Sequence, residues 1–182
     1  MFVSFPSAVY EILDRPTYHE DFYRNLKEAC SLYKIERGQH FQEKGFPSWD
    51  AFAAGDWKKA LTLAGEGRER YTERVNESKR LGRVQRRLRV VEFPVTPYVQ
   101  WEMHVLRTGV DVGDEIRVLD ASTIADVEKE HAAPEVVILG HTVMYGVRYD
   151  EEGNAVGARR YLDPALIRET SAGFETLYEL VL

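Results

Sequence analysis

The sequence predicts an α/β domain, with α+β as the other assignment: a helical N-terminal part, then a central mixed sheet closed by a long C-terminal helix. Three observations carry this. Val84 to Phe93 alternates as a strand does, with Val84, Arg86, Leu88 and Val90 on one side and Gln85, Arg87, Arg89 and Val91 on the other. Thr96-Pro97 and Asp163-Pro164 each place a capping side chain before a proline, the signature of a helix start. Glu135-Val-Val-Ile-Leu139 is a short apolar run of the kind a buried strand shows. Helices, then strand–helix–strand, then strands, then a helix is the order of one sheet covered by helices. Residues 1–80 read as a mainly helical segment and 81–182 as the α/β part, the two packing as one unit.

The elements follow in order. Ser7 to Leu13 reads as a short helix stopped by Asp14-Arg15-Pro16, because proline disfavours helix in the residue before it. Thr17 reads as the N-cap of a helix through Ala29, with Phe22, Leu26 and Ala29 at helical spacing. Leu32 to His40 alternates, weakened by Gly38. Ser48 reads as the N-cap of a helix holding Trp49, Phe52 and Ala53 and stopped by Gly55. Asp56 caps the next, which aligns Trp57, Ala60, Leu61 and Ala64. Gly65 to Lys79 is helix-permissive and highly charged, an exposed helix or a connector. After Thr96-Pro97, Tyr98, Trp101 and Val105 fall on one helical face and Gly109 can close the helix. The same stretch also alternates as a strand would, and the cap decides for helix. Glu115 to Leu119 is a short strand and Ser122 to His131 a helix or loop. Val143 to Tyr149 and Ala155 to Tyr161 flank a hairpin loop in which Gly153 can take a positive φ. Leu166, Ile167, Thr170, Phe174, Leu177, Tyr178 and Val181 then form the core stripe of the last helix.

Composition narrows the function classes. With 182 residues, 44% hydrophobic and 30% charged, the chain can bury a core, and no apolar run approaches the roughly 20 residues that span a bilayer. The first six residues lack a basic n-region and a cleavage site, so they do not read as a signal peptide. A single cysteine, Cys30, fits a reducing cytoplasm, and it reads as a buried, inert thiol inside a helix. The net charge of −6 argues against a protein that coats nucleic acid. Its distribution is uneven: Lys79, Arg80, Arg83, Arg86, Arg87 and Arg89 stand within eleven residues that hold no acid, leaving 18 basic against 30 acidic side chains elsewhere. That stripe reads either as a dock for a phosphate-bearing or acidic partner, or as a solvated helix end running into a strand.

Arg83-Val-Gln-Arg-Arg-Leu-Arg-Val-Val91, the Pro94-Val-Thr-Pro-Tyr-Val-Gln-Trp-Glu102 stretch and Gly113-Asp-Glu-Ile-Arg-Val-Leu119 together resemble an actinobacterial family catalogued as domain of unknown function 6879. The resemblance covers roughly Trp57 to the C-terminus. It implies a cytoplasmic protein from a genetic neighbourhood that often holds a helix-turn-helix regulator, and it supplies no mechanism. The strand–helix–strand unit, the apolar strand, the hairpin and the terminal helix with Phe174-Glu-Thr-Leu-Tyr178 are also similar to the phospholipase D-like fold. The His-x-Lys-x4-Asp run of its enzymes is missing, since His131 is followed at the lysine position by Ala133 and His141 by Val143.

The chemistry-bearing residues are few. His19, His40, His104, His131 and His141 show no metal-ligand spacing, and no cofactor motif is present. Gly65-Glu-Gly67 follows a helix rather than a strand, and no serine sits in a nucleophile elbow. Glu102, beside Tyr98 and Trp101, reads as a raised-pKa acid or as the partner of Arg87 or Arg89 in an ion pair between helix and sheet. His141 follows a buried strand where the chain leaves the core, the place where sites gather, or is a hydrogen-bonded loop residue. Tyr98 and Trp101 are core or stacking platform.

The first expectation is therefore a non-enzymatic regulatory or accessory module. It docks a protein partner through Lys79, Arg80, Arg83, Arg86, Arg87 and Arg89, with Tyr98, Trp101 and Arg117 nearby. The alternatives are an enzyme using Glu102 and His141 as acid and base, and a nucleic-acid-binding protein.

Overall fold

Asp14 closes the first strand and caps the first helix, its side chain accepting from the Thr17 amide at 2.9 Å. The computed structural model describes residues 8–181, in which this junction is the first of several built the same way. The strand is β1 (Glu11–Asp14) and the helix α1 (Arg15–Glu28), with Pro16 in its first turn. β2 (Ser31–Glu36) leads to three helices, α2 (Pro47–Ala53), α3 (Trp57–Glu66) and α4 (Arg68–Arg80). β3 (Val84–Val91), α5 (Pro97–Val110) and β4 (Glu115–Asp120) form a strand–helix–strand unit, with Thr96 capping α5 through the Val99 amide. A 3-10 turn (Ala121–Ile124) and a short helix α6 (Ala125–Glu128) precede β5 (Val136–Leu139), β6 (Val143–Tyr149) and β7 (Ala155–Tyr161). α7 (Pro164–Leu180) begins on the Asp163 cap.

Seven strands make one mixed sheet in the order β1-β7-β6-β5-β2-β3-β4. β2, β3 and β4 run parallel; β5, β6, β7 and β1 join by antiparallel pairing. The mixed α/β expectation holds. The segment before residue 80 is less helical than its sequence suggests, because it supplies β1 at an edge and β2 between β5 and β3. One sheet thus unites the stretches on either side of residue 80.

Alternation decides which side chains meet which layer. Tyr33, Ile35, Leu88, Val90, Leu119, Val136, Ile138 and Met144 face α7, where Tyr33 stacks on Phe174 at 4.5 Å and Leu166, Ile167, Leu177 and Tyr178 complete the layer. The other face carries two clusters. Leu13, Val137, Leu139, Val143, Tyr145 and Ala158 lie under α1, and Val91 lies under Tyr98, Val99, Trp101 and Val105 of α5. Ser48 joins the helices of this layer, donating to the Ala60 carbonyl at 2.7 Å and accepting from Trp101 Nε1 at 2.9 Å.

Several local expectations are corrected. The residues from Glu11 to Asp14 are a strand, because their pairing with β7 outweighs local helix preference; Ser7 lies outside the described residues. Asp14, not Thr17, caps α1, and Phe46 rather than Ser48 is the N-cap of α2, Ser48 lying in its first turn as a buried hub. Cys30 is exposed in the link between α1 and β2, since α1 ends at Glu28. Residues 68–80 are a regular helix whose Tyr71 and Val75 are buried. No helix among the described residues is long and apolar enough to cross a membrane.

Candidate functional site

The charged positions of β2 and β3 do not point to solvent. Lys34 and Glu36 on β2 and Gln85, Arg87 and Arg89 on β3 project to the face shared by α1, α4 and α5. α1 covers the β6–β7 side of that face and α5 the β3–β4 side, so the strands between them floor a cleft of about 520 Å³. Tyr18 and Phe22 of α1, with Tyr149 at the end of β6, form an aromatic wall. Arg74, Glu77 and Ser78 of α4 form the opposite side, and Lys34, Glu36 and Arg87 lie at the floor. A recess of about 220 Å³ opens from the same three floor residues toward Arg70, Tyr98 and Glu102.

The floor is a chain of ion pairs. Lys34 Nζ lies 2.6 Å from Glu36 Oε1, and Arg87 Nε lies 3.2 Å from Glu36 Oε2 without hydrogen-bond alignment. Arg89 Nε donates to Glu102 Oε2 at 2.7 Å, and Arg89 Nη1 donates to the carbonyls of Glu36 and Val90. Arg89 is wholly out of solvent. Burial opposes ionisation of Glu36, but the neighbouring Arg87 and Lys34 charges prevail and bring it down to about 2. Burial and the like charge of Glu36 push Glu102 up to about 7, against the pull of Arg89. Glu43 stands at the mouth, its carboxyl accepting from the Tyr98 hydroxyl at 3.3 Å. Lost solvation at that carboxyl raises it above the usual range.

Two cations keep donors free. Arg87 has a 24% exposed side chain, and its Nη edge carries no hydrogen bond among the described residues. Arg70 is exposed, its guanidinium over the Phe46 ring at 5.3 Å, with no ion pair among the described residues. Lys34, Arg70 and Arg87 line the recess with the carboxylates of Glu36, Glu43 and Glu102, and Glu102 is paired with the buried Arg89 behind it. An anion meets guanidinium donors there in a partly desolvated setting, where such contacts are strongest.

The sequence-predicted residues are distributed as follows. The stripe from residue 79 to 89 is not one surface, because α4 ends within it and β3 alternates. Lys79 and Arg80 are exposed at the end of α4. Arg83 donates to the carbonyls of Leu26 at 2.6 Å and Ala29 at 3.1 Å, closing the end of α1. Arg86 turns to the α7 face, pairing with Glu115 at 3.0 Å and Glu175 at 2.8 Å. Arg87 faces the cleft and Arg89 the interior. Tyr98 and Trp101 are core residues, 2% exposed each. Arg117 lies 4.2 Å from the Tyr178 ring centroid and donates to its carbonyl, on the α7 face. Glu102 has the ion-pair partner expected of it, Arg89.

His141 is exposed beyond β5, where Gly140 bonds to Ser31 at the start of β2. Glu102 meets Arg89 opposite Glu36, at the other end of β2, about 16 Å along the strand. The proposed acid–base pair is therefore not assembled. Lys34, Glu36, Glu43, Arg70, Tyr18 and Tyr149 were missed. The one signal for them was a strand that alternates charges with apolar residues on the side that should be core.

Among known families, the domain of unknown function DUF6879 matches residues 20–181. The chain belongs to that family. No curated protein and no solved structure matches it. Among the described residues of this DUF6879 protein no group of acidic, histidine or cysteine side chains could hold a metal ion.

Proposed function

We propose that this DUF6879 protein is a non-enzymatic regulatory or accessory module that captures an acidic or phosphate-bearing group in the cleft between α1 and α4. The observation that carries the reading is Arg87: a guanidinium inside a cleft, tied to one carboxylate at its Nε and offering its Nη edge, with Lys34 and Arg70 beside it. A half-desolvated arginine fork is matched in geometry and charge to phosphate or carboxylate oxygens. Glu102 and His141 stand apart, which favours binding over acid–base catalysis. The regulatory role draws on the family resemblance, which implies a genetic neighbourhood that often holds a helix-turn-helix regulator, and the exposed, unbridged Cys30 accords with a cytoplasmic setting.

The test is calorimetric titration with inorganic phosphate and pyrophosphate at fixed ionic strength, on wild type and on Arg87→Gln and Arg70→Gln variants. Saturable binding that weakens at least tenfold in both variants is expected. Heats no different from those of added chloride overturn the reading.

A further inference from the structure

We infer that the ligand of this cleft is a phosphate ester carrying a planar ring, of the size of a nucleoside monophosphate. The ring lies against Tyr18, Phe22 and Tyr149, and the phosphate reaches Lys34, Arg70 and Arg87. The inference rests on the anion reading above and adds what the anion is attached to.

Three observations bring it. The first is extent. The floor runs from Val147 of β6 through Val137 and Lys34 to Arg87 of β3, three strand spacings or about 14 Å, which a bare phosphate cannot fill. A volume of about 520 Å³ falls within the range of small-molecule sites. A cleft walled by two helices offers little of the broad surface, roughly 800 Å² a side, that a stable protein partner covers.

The second is the wall. Tyr18 and Phe22 are only half-buried although they stand at helical spacing on the inward side of α1, edge to face with ring centroids 6.1 Å apart. Tyr149, the last residue of β6, lines the same cleft and is packed on Phe41 at 4.7 Å. Their backs meet protein and their remaining surface lines the cleft. Apolar rings left open inside a concave site bind planar groups by stacking and by loss of water from both surfaces.

The third is the division of the cleft. Rings occupy the α1 side, while Lys34, Arg70 and Arg87 cluster where the smaller recess opens under α5. Glu36 pairs with Lys34 and Arg87, Glu102 is taken up by Arg89, and Arg70 has no ion-pair partner among the described residues although Glu43 lines the same recess. A ligand with an apolar planar end and an anionic end fits this separation. A purely anionic or purely apolar ligand leaves one half of the site unused.

The experiment compares four probes by calorimetry at one ionic strength: inorganic phosphate, adenosine, adenosine 5′-monophosphate and, as a second ring, uridine 5′-monophosphate. At least one of the two nucleotides is expected to bind tenfold or more tightly than phosphate. Phe22→Ala and Tyr18→Leu should erase that gain while leaving phosphate affinity within twofold. Arg70→Gln, at an exposed position that does not carry the fold, should weaken phosphate and nucleotide alike. If phosphate binds and no nucleotide binds more tightly, the ring is refuted and the anion reading stands. If neither phosphate nor nucleotide binds, both are refuted. The comparison of probes on wild type decides the matter without any variant.

Discussion

Arg89 and Glu102 pair inside the protein at 2.7 Å, joining β3 to α5 with the guanidinium entirely out of solvent. Both charges have lost their water, so the pair is stable only while it is complete. Glu102→Leu leaves a buried guanidinium uncompensated and should lower unfolding free energy by about 3–5 kcal/mol. Arg89→Met combined with Glu102→Leu should recover most of that loss. Urea denaturation of the two singles and the double measures the coupling; additive losses would show that the two side chains do not depend on each other.

The same pair makes stability depend on pH. The Glu102 carboxyl is raised to about 7 in the folded protein, mainly by burial, so its contribution is fully present below the ordinary value of 4.5 and is lost as pH rises through 7. Glu36 behaves oppositely: although burial opposes its charge, Arg87 and Lys34 bring it to about 2, so its contribution is lost as pH falls from 4.5 toward 2. Urea midpoints of wild type should therefore decline between pH 5 and pH 8. In Glu102→Gln that decline should be largely gone. Parallel curves for the two proteins would assign the slope to other groups.

Asp21 fixes α1 to the far half of the sheet. It is 2% exposed, accepts from the Tyr145 hydroxyl at 2.8 Å and from Arg160 Nη1 at 3.0 Å, and contacts Arg24. Burial opposes its ionisation, yet the Tyr145 and Arg160 bonds hold its pKa below the ordinary value. Asp21→Ala takes away the acceptor of the Tyr145 hydroxyl proton, leaving that oxygen only the bond it accepts from Asn25 at 3.0 Å, and should cost about 2–3 kcal/mol. Because the aromatic wall sits on α1, the substitution should also weaken nucleotide binding more than phosphate binding. Equal losses for the two ligands would separate the wall from the helix that carries it.

Local chemistry was legible where it is decided locally. Thr96-Pro97, Asp56 and Asp163-Pro164 announce helix starts because a cap bonds to amides within three residues, and each does so in the fold. β1 was misread because its pairing partner, β7, is more than a hundred residues away. The cluster of basic residues was visible, but its meaning was not. Whether Arg86, Arg87 and Arg89 face α7, a cleft or the interior follows from where helices cover the sheet, which a charge pattern along the chain does not record. Lys34 went unnoticed for the same reason, since its partners Glu36 and Arg87 come together through a parallel pairing across three intervening helices.

Gly157 sets the limit on how β1 joins the sheet. It pairs with Asp14, takes φ of +143°, and a Cβ built there would stand 2.1 Å from the Leu13 carbonyl oxygen. Both facts require the absence of a side chain: the backbone conformation is one that L-residues rarely adopt, and the obstruction is main chain that cannot rotate away. Gly157→Ala should therefore push β1 off β7 and cost on the order of 3 kcal/mol. The damage should be regional. Asp14 ends β1 and caps α1, so hydrogen exchange should accelerate in residues 11–20 and along β7 while β2, β3 and β5 keep their protection. Loss of protection across the whole sheet would show instead that β1 is required for the central strands to form.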